Sequence, residues 1–347
     1  MKQHRLLGKI ATVLTGSISV FLVASAAWGQ QLPVDPLAGT TGARGLSPLL
    51  LQELARNRSV AAAIKPRFTF AGAQYATGGV GLRNRAMGAM QISGAIAPVK
   101  KAYLYFAYLY SAAPPAKQIV EFCSPDAASP ATFACKQVAT ALLAKGADPC
   151  WRSNGIAIYD ADVTAMVAGN GEYQIKVTNA ISAETDGKDP WTSVILPAAE
   201  GASLVVVGTG ASNVAIYDSG LAGITFQGNT SYTLAVPGGV AHLPVLWDNI
   251  GADGQLGDSR AAGLGKEETL INTVQIAGPG VNVSTGVTDS DWDGSSGWPL
   301  PQLWDDTGHS LPSSAATTGT TSLAVSIVSP ATASNDCLTT VANVISY

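Results

Sequence analysis

From Arg67 onward, short apolar runs alternate with Gly, Pro, Asn and Asp. The runs follow one another closely, and no helical period separates them. This pattern is typical of antiparallel all-β proteins rather than of alternating strands and helices. The segments predicted as strands are 67–70, 88–96, 101–110, 118–122, 137–143, 155–159, 173–177, 203–207, 214–217, 232–236, 242–246, 270–276, 322–328 and 341–346.

Two of these segments, Ala102–Tyr110 and Leu204–Val207, are apolar on both faces. Such runs indicate central strands that are covered on both sides. One helical turn is predicted over 162–168, with Asp162 as its N-cap and Gly169 as its stop. We therefore predict an all-β fold, a jelly-roll-like antiparallel β-sandwich that occupies 67–347 as a single large domain.

Residues 30–66 have a different composition and are predicted to be a linker followed by a short helix. The stretch 31–45 is rich in Pro, Gly and Thr. Ser47 and Pro48 supply an N-cap and a first-turn proline, and four leucines follow within six residues. The predicted N-terminal helix ends near Ile64, before Pro66.

The first 29 residues have the three-part layout of a secretory signal peptide. Lys2, Arg5 and Lys9 precede a mostly apolar run that ends in small residues. An uncleaved membrane anchor is the alternative, but polar residues interrupt the run, which is shorter than the roughly 20 apolar residues that span a bilayer. We expect an exported protein, secreted or held at the cell surface, that begins near Ala27 or Gln30. No later segment is long and apolar enough for a transmembrane helix.

Composition narrows the function classes. Only 13% of the residues are charged and 47% are hydrophobic, which argues against intrinsic disorder. Lys and Arg total 20 against 24 Asp and Glu, so no basic surplus exists to neutralise phosphates. The sequence therefore argues against nucleic acid as a partner.

Four cysteines in an exported chain predict two disulfides, and three pairings are possible. The turn-rich stretch between Cys123 and Cys135 lets these two meet, which leaves Cys150 for Cys337. Four free thiols are the alternative. A zinc site is disfavoured because the sequence contains no Cys-x-x-Cys.

The order of several short motifs resembles that in a group of bacterial secreted or cell-surface domains of unknown function. These motifs are Ala102–Ala107, Asp148–Trp151, Tyr159–Thr164, Asn170–Tyr173, Gly201–Val207, Val214–Gly220, Gly254–Ser259, Leu303–Asp305 and Asn335–Leu338. The resemblance implies an exported adhesin-like β-sandwich module and brings no catalytic residue or ligand. Many such modules precede repeats or sorting segments, and none is visible here, which argues against wall attachment.

The run Asp289-Ser-Asp291-Trp-Asp293-Gly is the sharpest chemical signal. Alternating carboxylates with a turn glycine can surround a calcium ion. An EF-hand is excluded because Leu300 stands where its bidentate Glu would be, so Asp305 or the adjacent Asp306 would complete the site. A solvated acidic turn is the alternative. A second acidic stretch, 248–258, fits either a weaker calcium loop or a tight hairpin.

Catalytic motifs are scarce. Beyond the predicted leader only His242 and His309 are present, no G-x-S-x-G elbow occurs, and both histidines are interpreted as structural or surface residues. The neighbouring Glu267 and Glu268 could serve a glycosidase, but adjacency gives no carboxylate separation. Nearby tryptophans could stack on sugars or pack in a core; they are Trp292, Trp298 and Trp304.

Three functions follow from these observations. The first is a non-enzymatic surface or extracellular module, stabilised by calcium, for adhesion or for contact with the envelope, the matrix or a glycan. The second is a secreted hydrolase of polysaccharide with carboxylates in a cleft. The third, an outer-membrane β-barrel, is disfavoured because several predicted strands are shorter than the roughly 9–11 residues it needs.

Overall fold

A computed structural model of the chain describes residues 62–94, 97–126, 129–188, 193–254, 267–278, 291–294, 296, 303–329 and 336–347. One short 3-10 helix, Thr164–Met166, lies within the predicted turn. The strands are β1 (Phe68–Gly81), β2 (Met87–Ile92), β3 (Val99–Leu109), β4 (Lys117–Asp126), β5 (Ser129–Gly146), β6 (Ile156–Asp162), β7 (Gly171–Lys176), β8 (Ala198–Thr209), β9 (Ser212–Tyr217), β10 (Thr225–Gln227), β11 (Thr230–Ala235), β12 (Val245–Ala252), β13 (Glu268–Ile271), β14 (Val274–Ala277), β15 (Trp304–Leu311), β16 (Ser322–Val328) and β17 (Cys337–Ser346).

The prediction of an antiparallel all-β fold is confirmed. Among the described residues, one sheet has 13 strands and a second has four. The larger follows the order β15-β12-β17-β9-β1-β8-β3-β6-β5-β4-β7-β2, with β10 beside β17, and the smaller follows β11-β16-β13-β14. All strand pairings are antiparallel.

The eight strands from β1 to β2 in that order, named the roll, curl until β2 lies against β1. A methyl group at Gly78 of β1 would come within 2.4 Å of the main-chain oxygen of Gln91 in β2, so glycine permits this approach. The inside of the roll is an apolar core that includes Leu104, Phe106 and Tyr159.

Four of the five remaining strands of the large sheet, β9, β17, β12 and β15, are named the middle layer because both of their faces are covered. One face shares an apolar core with the four-stranded sheet, in which Trp247 and Ile345 meet Val325. The other face shares a core with the outside of the roll, in which Ile250 and Trp304 belong with Val205. All ten residues of β17 are buried, as expected for a strand between two cores.

The two predicted disulfides are confirmed: Cys123 pairs with Cys135, and Cys150 pairs with Cys337. The first joins β4 to β5 at directly paired positions. The second ties the loop before β6 to the start of β17, so it connects the roll to the middle layer.

The N-terminal predictions lie largely outside the described residues, which begin at 62. The last residues of the predicted helix, 62–64, are not helical. Ile64 instead forms a parallel bridge with Leu234 of β11. No helix in the described part of the chain is long and apolar enough to cross a membrane.

Candidate functional site

A polar pocket of about 320 Å³ opens where β1 of the roll meets the middle layer. We call it the Asp248 pocket. Its lining includes Tyr75, Thr77, Ser93, Leu246, Asp248 and Ser310. This volume lies at the small end of ligand pockets, and the boundary between two packed units is a common place for them.

Strand register places two carboxyl groups on one face of the middle layer. Asp248 of β12 pairs with Gly308 of β15, and Ile250 pairs with Asp306. Residues two apart on a strand share a face, so Asp248 and Asp306 are diagonal neighbours on the side that faces the roll.

Two glycines make room for these carboxyl groups. A methyl group at Gly308 would lie 2.5 Å from Oδ1 of Asp248. At Gly79 of β1 it would lie 2.6 Å from Cβ of Asp306. Glycine at both positions therefore leaves the space that these two side chains occupy.

Hydroxyl groups of β1 hold the Asp248 side chain. Tyr75 donates to Oδ1 over 2.9 Å, and Thr77 donates to Oδ2 over 2.7 Å. Burial raises the pKa of Asp248 to about 6, although the two hydroxyls act in the opposite direction. Nearby His309 also lowers this pKa, and Asp291 raises it.

Asp306 is the second carboxyl group of the site. Burial raises its pKa to about 7, while the hydroxyls of Ser203 and Thr77 lower it and the charge of Asp248 raises it. Its Oδ2 atom is buried without a hydrogen-bond partner. Thr77, which donates to Asp248, also lowers the pKa of Asp306, so this hydroxyl lies near both carboxyl groups.

The predicted calcium run is only partly described. Asp289 lies outside the described residues, whereas 291–294 are included. Asp291 is fully buried, and its Oδ1 accepts from Thr307 over 2.8 Å and lies 2.5 Å from Nε2 of His309. The alternative interpretation of a solvated turn is wrong for Asp291, since it packs on the face of β15 that carries Thr307 and His309.

Asp305 lies on that same face, which is opposite to the face of Asp306. Its Oδ1 accepts the backbone N–H of Gly294 over 2.7 Å. Burial, followed by the charge of the half-buried Asp293 and then that of Asp291, raises the pKa of Asp305 well above its ordinary value. Asp291 and Asp293 thus lie near enough to Asp305 to raise its pKa, but the ligand atoms of these three residues do not all lie within 4.8 Å of one another.

Side-chain atoms alone do not enclose a metal among the described residues. The one group of three ligand-type side chains that converges within 4.8 Å is Glu121 with Cys123 and Cys135. Those sulfurs form a disulfide and are not thiolate ligands.

The histidines have separate surroundings. The imidazole of His309 pairs across the strands with Trp247 and stacks on it, with ring centroids 6.0 Å apart, on the face opposite to Asp248. The prediction that His242 lies in a strand is wrong. It is exposed in a bend, and β12 begins three residues later at Val245, after a proline.

Two of the three clustered tryptophans pack in the core. Trp292 and Trp304 are fully buried, and Trp298 lies outside the described residues. Trp292 meets Phe226 edge to face, while Nε1 of Trp304 donates to Ser203. Neither ring forms a surface for stacking on a sugar.

A separate ionic cluster is sealed inside the molecule. Arg83, fully buried, lies 2.5 Å from Glu200 and 3.6 Å from Asp253, with its guanidinium over Trp151. Trp151 also donates to Asp253. Burial and then the neighbouring Glu200 raise the pKa of Asp253 well above its ordinary value. The cluster braces the loop that carries Cys150 against the end of β12.

A second surface pocket, of about 650 Å³, lies beside Arg67. Arg67 contacts Asp160 over 2.7 Å and Asp218 over 3.1 Å, and Tyr105 donates to Asp218 over 2.8 Å. In the same lining, Lys101 pairs with Asp162 over 2.7 Å, so the charged groups of this pocket are paired with one another.

Comparisons with known proteins leave the family open. No family model and no curated protein matches the sequence. Similar solved structures include a peptide-N(4)-(N-acetyl-β-D-glucosaminyl) asparagine amidase, at 12% identity and TM-score 0.26, covering 79% of this chain and 96% of that one. PNGase F, a glycosylasparaginase from Flavobacterium meningosepticum, follows at 14% identity and TM-score 0.23, covering 79% and 95%. BuGH86 with neoagarooctaose has 10% identity and TM-score 0.22, covering 75% of this chain and 33% of that one. At these TM-scores the likenesses carry no argument about fold or function.

Proposed function

We propose that this protein is an exported hydrolase of a carbohydrate-bearing substrate, with Asp248 and Asp306 as its acting carboxyl pair. The observation that supports this most is the placement of both groups on one face, beside Thr77, with Asp248 in the lining of an open polar pocket. Hydroxyl and carboxyl groups around a small volume suit a hydroxyl-rich ligand such as one sugar unit.

The chemistry that such a pair performs is known in general terms. One carboxylic acid protonates a leaving oxygen or nitrogen while the other acts as nucleophile or as base toward water. Retaining glycosidases hold the two groups about 5–5.5 Å apart, and inverting enzymes hold them further apart. Either arrangement needs both groups beside one substrate site, which the shared face of Asp248 and Asp306 provides.

Export belongs to the same proposal. Two disulfides fit an oxidising compartment, which is where a protein with the predicted signal peptide at 1–29 would fold. A jelly-roll-like sandwich is the finer fold assignment within the antiparallel all-β architecture. It rests on the middle layer packing face to face against the four-stranded sheet.

A non-enzymatic surface module remains the competing proposal. Such a module would use the Asp248 pocket to hold a matrix or envelope glycan without cleaving it. The two proposals share the pocket and differ in turnover, so binding and cleavage are to be measured on the same variants.

The test uses the purified chain without its predicted leader. Release of reducing ends from polysaccharides and of glycans from glycopeptides is assayed alongside glycan-array binding. We expect Asp248→Asn and Asp306→Asn each to lower turnover by at least about a hundredfold. Glu172→Gln, at an exposed position of β7, is the matched control and should change neither quantity.

Binding without turnover in the wild type, weakened by Asp248→Asn, would support the non-enzymatic module instead. Activity that survives both substitutions would exclude this carboxyl pair as the acting groups.

A further inference from the structure

The pocket beside Arg67 lies between the start of β1 and two strands of the roll, and we call it the Arg67 pocket. Its volume is about 650 Å³, and it shares no lining residue with the Asp248 pocket. Besides Arg67, its lining combines aromatic, cationic and acidic side chains, which include Phe68, Phe70, Lys101, Tyr103, Asp160 and Asp162.

A β-bulge in β1 fixes one wall of the Arg67 pocket. Before the bulge β1 pairs with β9 and after it with β8, and the register with β9 shifts between Phe70 and Ala73. Gly72 lies in the bulge with a φ of +56°, a left-handed conformation that glycine adopts at little cost. Lys100 of β3 donates to the carbonyl oxygens of Ala71 and Gly72 over 2.9 and 2.6 Å. The start of β1 is therefore held beside β3.

Strand register places the side chains of the opposite wall on one face of the roll. Tyr103 of β3 pairs with Asp162 of β6, and Tyr105 pairs with Asp160. Lys101 precedes Tyr103 by two residues, so it points to the same side. Tyr103 belongs to the core outside the roll, so this face is the outer one. The Arg67 pocket therefore opens on the outer side of the roll.

The two phenylalanine rings of the Arg67 pocket differ in what they contact. Phe68 stacks on Tyr103 with ring centroids 4.6 Å apart, and the guanidinium of Arg67 lies 4.6 Å from the same Phe68 centroid. Phe70 is partly exposed and forms no aromatic or cation–π pair with any described residue. Its ring is therefore the aromatic surface that a ligand can reach.

The hydrogen-bond donors of the Arg67 pocket are only partly used. Nη1 of Arg67 forms two ion pairs, whereas its Nε and Nη2 donate to no described residue, and the side chain is 34% exposed. The Lys101 ammonium has three N–H donors and contacts one carboxylate, that of Asp162. The hydroxyl of Tyr103 forms no hydrogen bond within the described part of the chain. Donors from three side chains thus remain for a ligand.

The balance of charge selects the class of ligand. The lining carries two cationic and two acidic side chains, paired with each other over 2.7 Å. An anionic ligand would meet the carboxylates, and a cationic ligand would meet Arg67 and Lys101. A neutral ligand rich in hydroxyl groups avoids both repulsions and accepts from the unused donors. A sugar ring has such hydroxyls at its edge and an apolar face that fits an aromatic ring.

We propose that the Arg67 pocket binds one neutral sugar unit of a glycan. Phe70 lies against the sugar ring, and Arg67, Lys101 and Tyr103 donate to its hydroxyls. The carboxylates of this pocket are held by cations, so the pocket binds the glycan without acting on it. It is a binding site additional to the Asp248 pocket and does not depend on hydrolysis there.

The test is glycan binding by the purified protein, first on a printed array of neutral and charged glycans. The strongest neutral binder is then titrated as a free oligosaccharide. Tyr103→Phe keeps the stacked ring and removes one hydroxyl, so affinity should fall about three- to tenfold, as for one lost hydrogen bond. Phe70→Leu removes the flat ring and should lower affinity about fivefold or more. Tyr110→Phe, just beyond the other end of β3, is the matched control and should bind as the wild type does.

The Asp248→Asn variant separates this proposal from the proposed hydrolase. The readout is affinity rather than turnover, so a protein without hydrolase activity tests the Arg67 pocket equally well. Phe70→Leu should lower affinity by the same factor in the Asp248→Asn protein as in the wild type. Turnover that survives Asp248→Asn would contradict the hydrolase proposal and leave this comparison unchanged.

Three results would overturn the proposed sugar site. They are the absence of any neutral glycan bound by the wild type, a stronger response to charged than to neutral glycans, and equal affinities of the wild-type, Tyr103→Phe and Phe70→Leu proteins. Melting midpoints show whether each variant is folded. Tyr103→Phe, which keeps the ring in place, carries the test if Phe70→Leu does not fold.

Discussion

The pKa of Asp248 is raised toward neutral pH although this residue lines a pocket that opens to the surface. Its two oxygens accept hydroxyl donors from β1, which favours the charged form, yet removal from water outweighs them. A carboxyl group with such a pKa can both donate and accept a proton near neutral pH, which is the property that acid–base catalysis requires.

The raised pKa of Asp248 predicts a pH-dependent contribution to stability. The folded state holds this proton up to about pH 6, whereas the unfolded chain releases it near its ordinary pKa of 3.8. The contribution is therefore complete below about pH 4 and disappears as the pH rises through about 6. Asp248→Asn stays uncharged throughout. Relative to this variant, the wild type should lose at most about 3 kcal/mol of unfolding free energy over that range.

Denaturant titrations of both proteins from about pH 4 to 7 measure this difference. Tyr75, Asp306, His309 and Asp291 are the other titratable groups that interact with Asp248, and they are present in both proteins. Parallel pH profiles would show that the pKa of Asp248 is not raised.

Gly308 offers a second test at the level of one residue. A methyl group there would lie 2.5 Å from Oδ1 of Asp248, so Gly308→Ala must displace that carboxyl group. We expect turnover, or glycan affinity, to fall about tenfold or more, with little change in melting midpoint because position 308 is exposed. Ser310→Ala, in the same pocket, is the control. An unaffected Gly308→Ala variant would argue against a role for the observed Asp248 position.

At the level of elements, β12 and β15 decide where the site lies. The segment 304–311 was not predicted as a strand because five of its eight residues are polar or charged and one is glycine. The stretch from Asp248 was interpreted as an acidic loop, yet 245–252 form a strand. Both strands lie between the roll and the four-stranded sheet. Their polar residues are therefore buried although the sequence has no alternating pattern that predicts a strand.

The two disulfides should differ in their effect on stability because they close loops of different length. Their cysteines are separated by 12 and 187 residues. The chain-entropy model gives about 3 kcal/mol for the shorter loop and about 5 kcal/mol for the longer one. The Cys150→Ser/Cys337→Ser protein should therefore unfold at lower denaturant concentration than the Cys123→Ser/Cys135→Ser protein. The reverse order would indicate that local packing outweighs loop length.

At the level of the whole molecule, three apolar cores are stacked in series: inside the roll, between the roll and the middle layer, and between the middle layer and the four-stranded sheet. Glycines permit the closest contacts between these units. A methyl group at Gly201 of β8, for example, would come within 2.4 Å of the Trp304 ring of β15. The Asp248 pocket occurs where polar residues interrupt the central core, so its shape depends on how roll and middle layer are packed.

Export is the prediction that concerns the chain as a whole. The small residues at the end of the apolar run predict a secreted form that begins near Ala27 or Gln30. N-terminal sequencing of protein collected outside the cytoplasm measures this directly. Recovery of an intact Met1 from that fraction would contradict the predicted cleavage.

The sequence by itself determined the local and pairwise features of this protein. Apolar runs between turn residues predicted an antiparallel all-β chain, because side-chain period and turn chemistry are local properties. A turn-rich stretch between Cys123 and Cys135 predicted one disulfide. The two cysteines that remained, Cys150 and Cys337, predicted the other. The sequence also placed Asp289, Asp291, Asp293 and Asp305 in one calcium hypothesis, which stays a prediction.

Tertiary structure alone decided which acidic residues share a face and which are removed from water. Asp248 and Asp306 are 58 positions apart and come together through the register of β12 and β15, while Tyr75 and Thr77 arrive from β1 at the far end of the chain. A carboxyl group acquires its pKa from burial and from partners that are distant in sequence, so no local pattern contains it. The same reason explains why Trp292 and Trp304, which could have been surface residues, are core residues here.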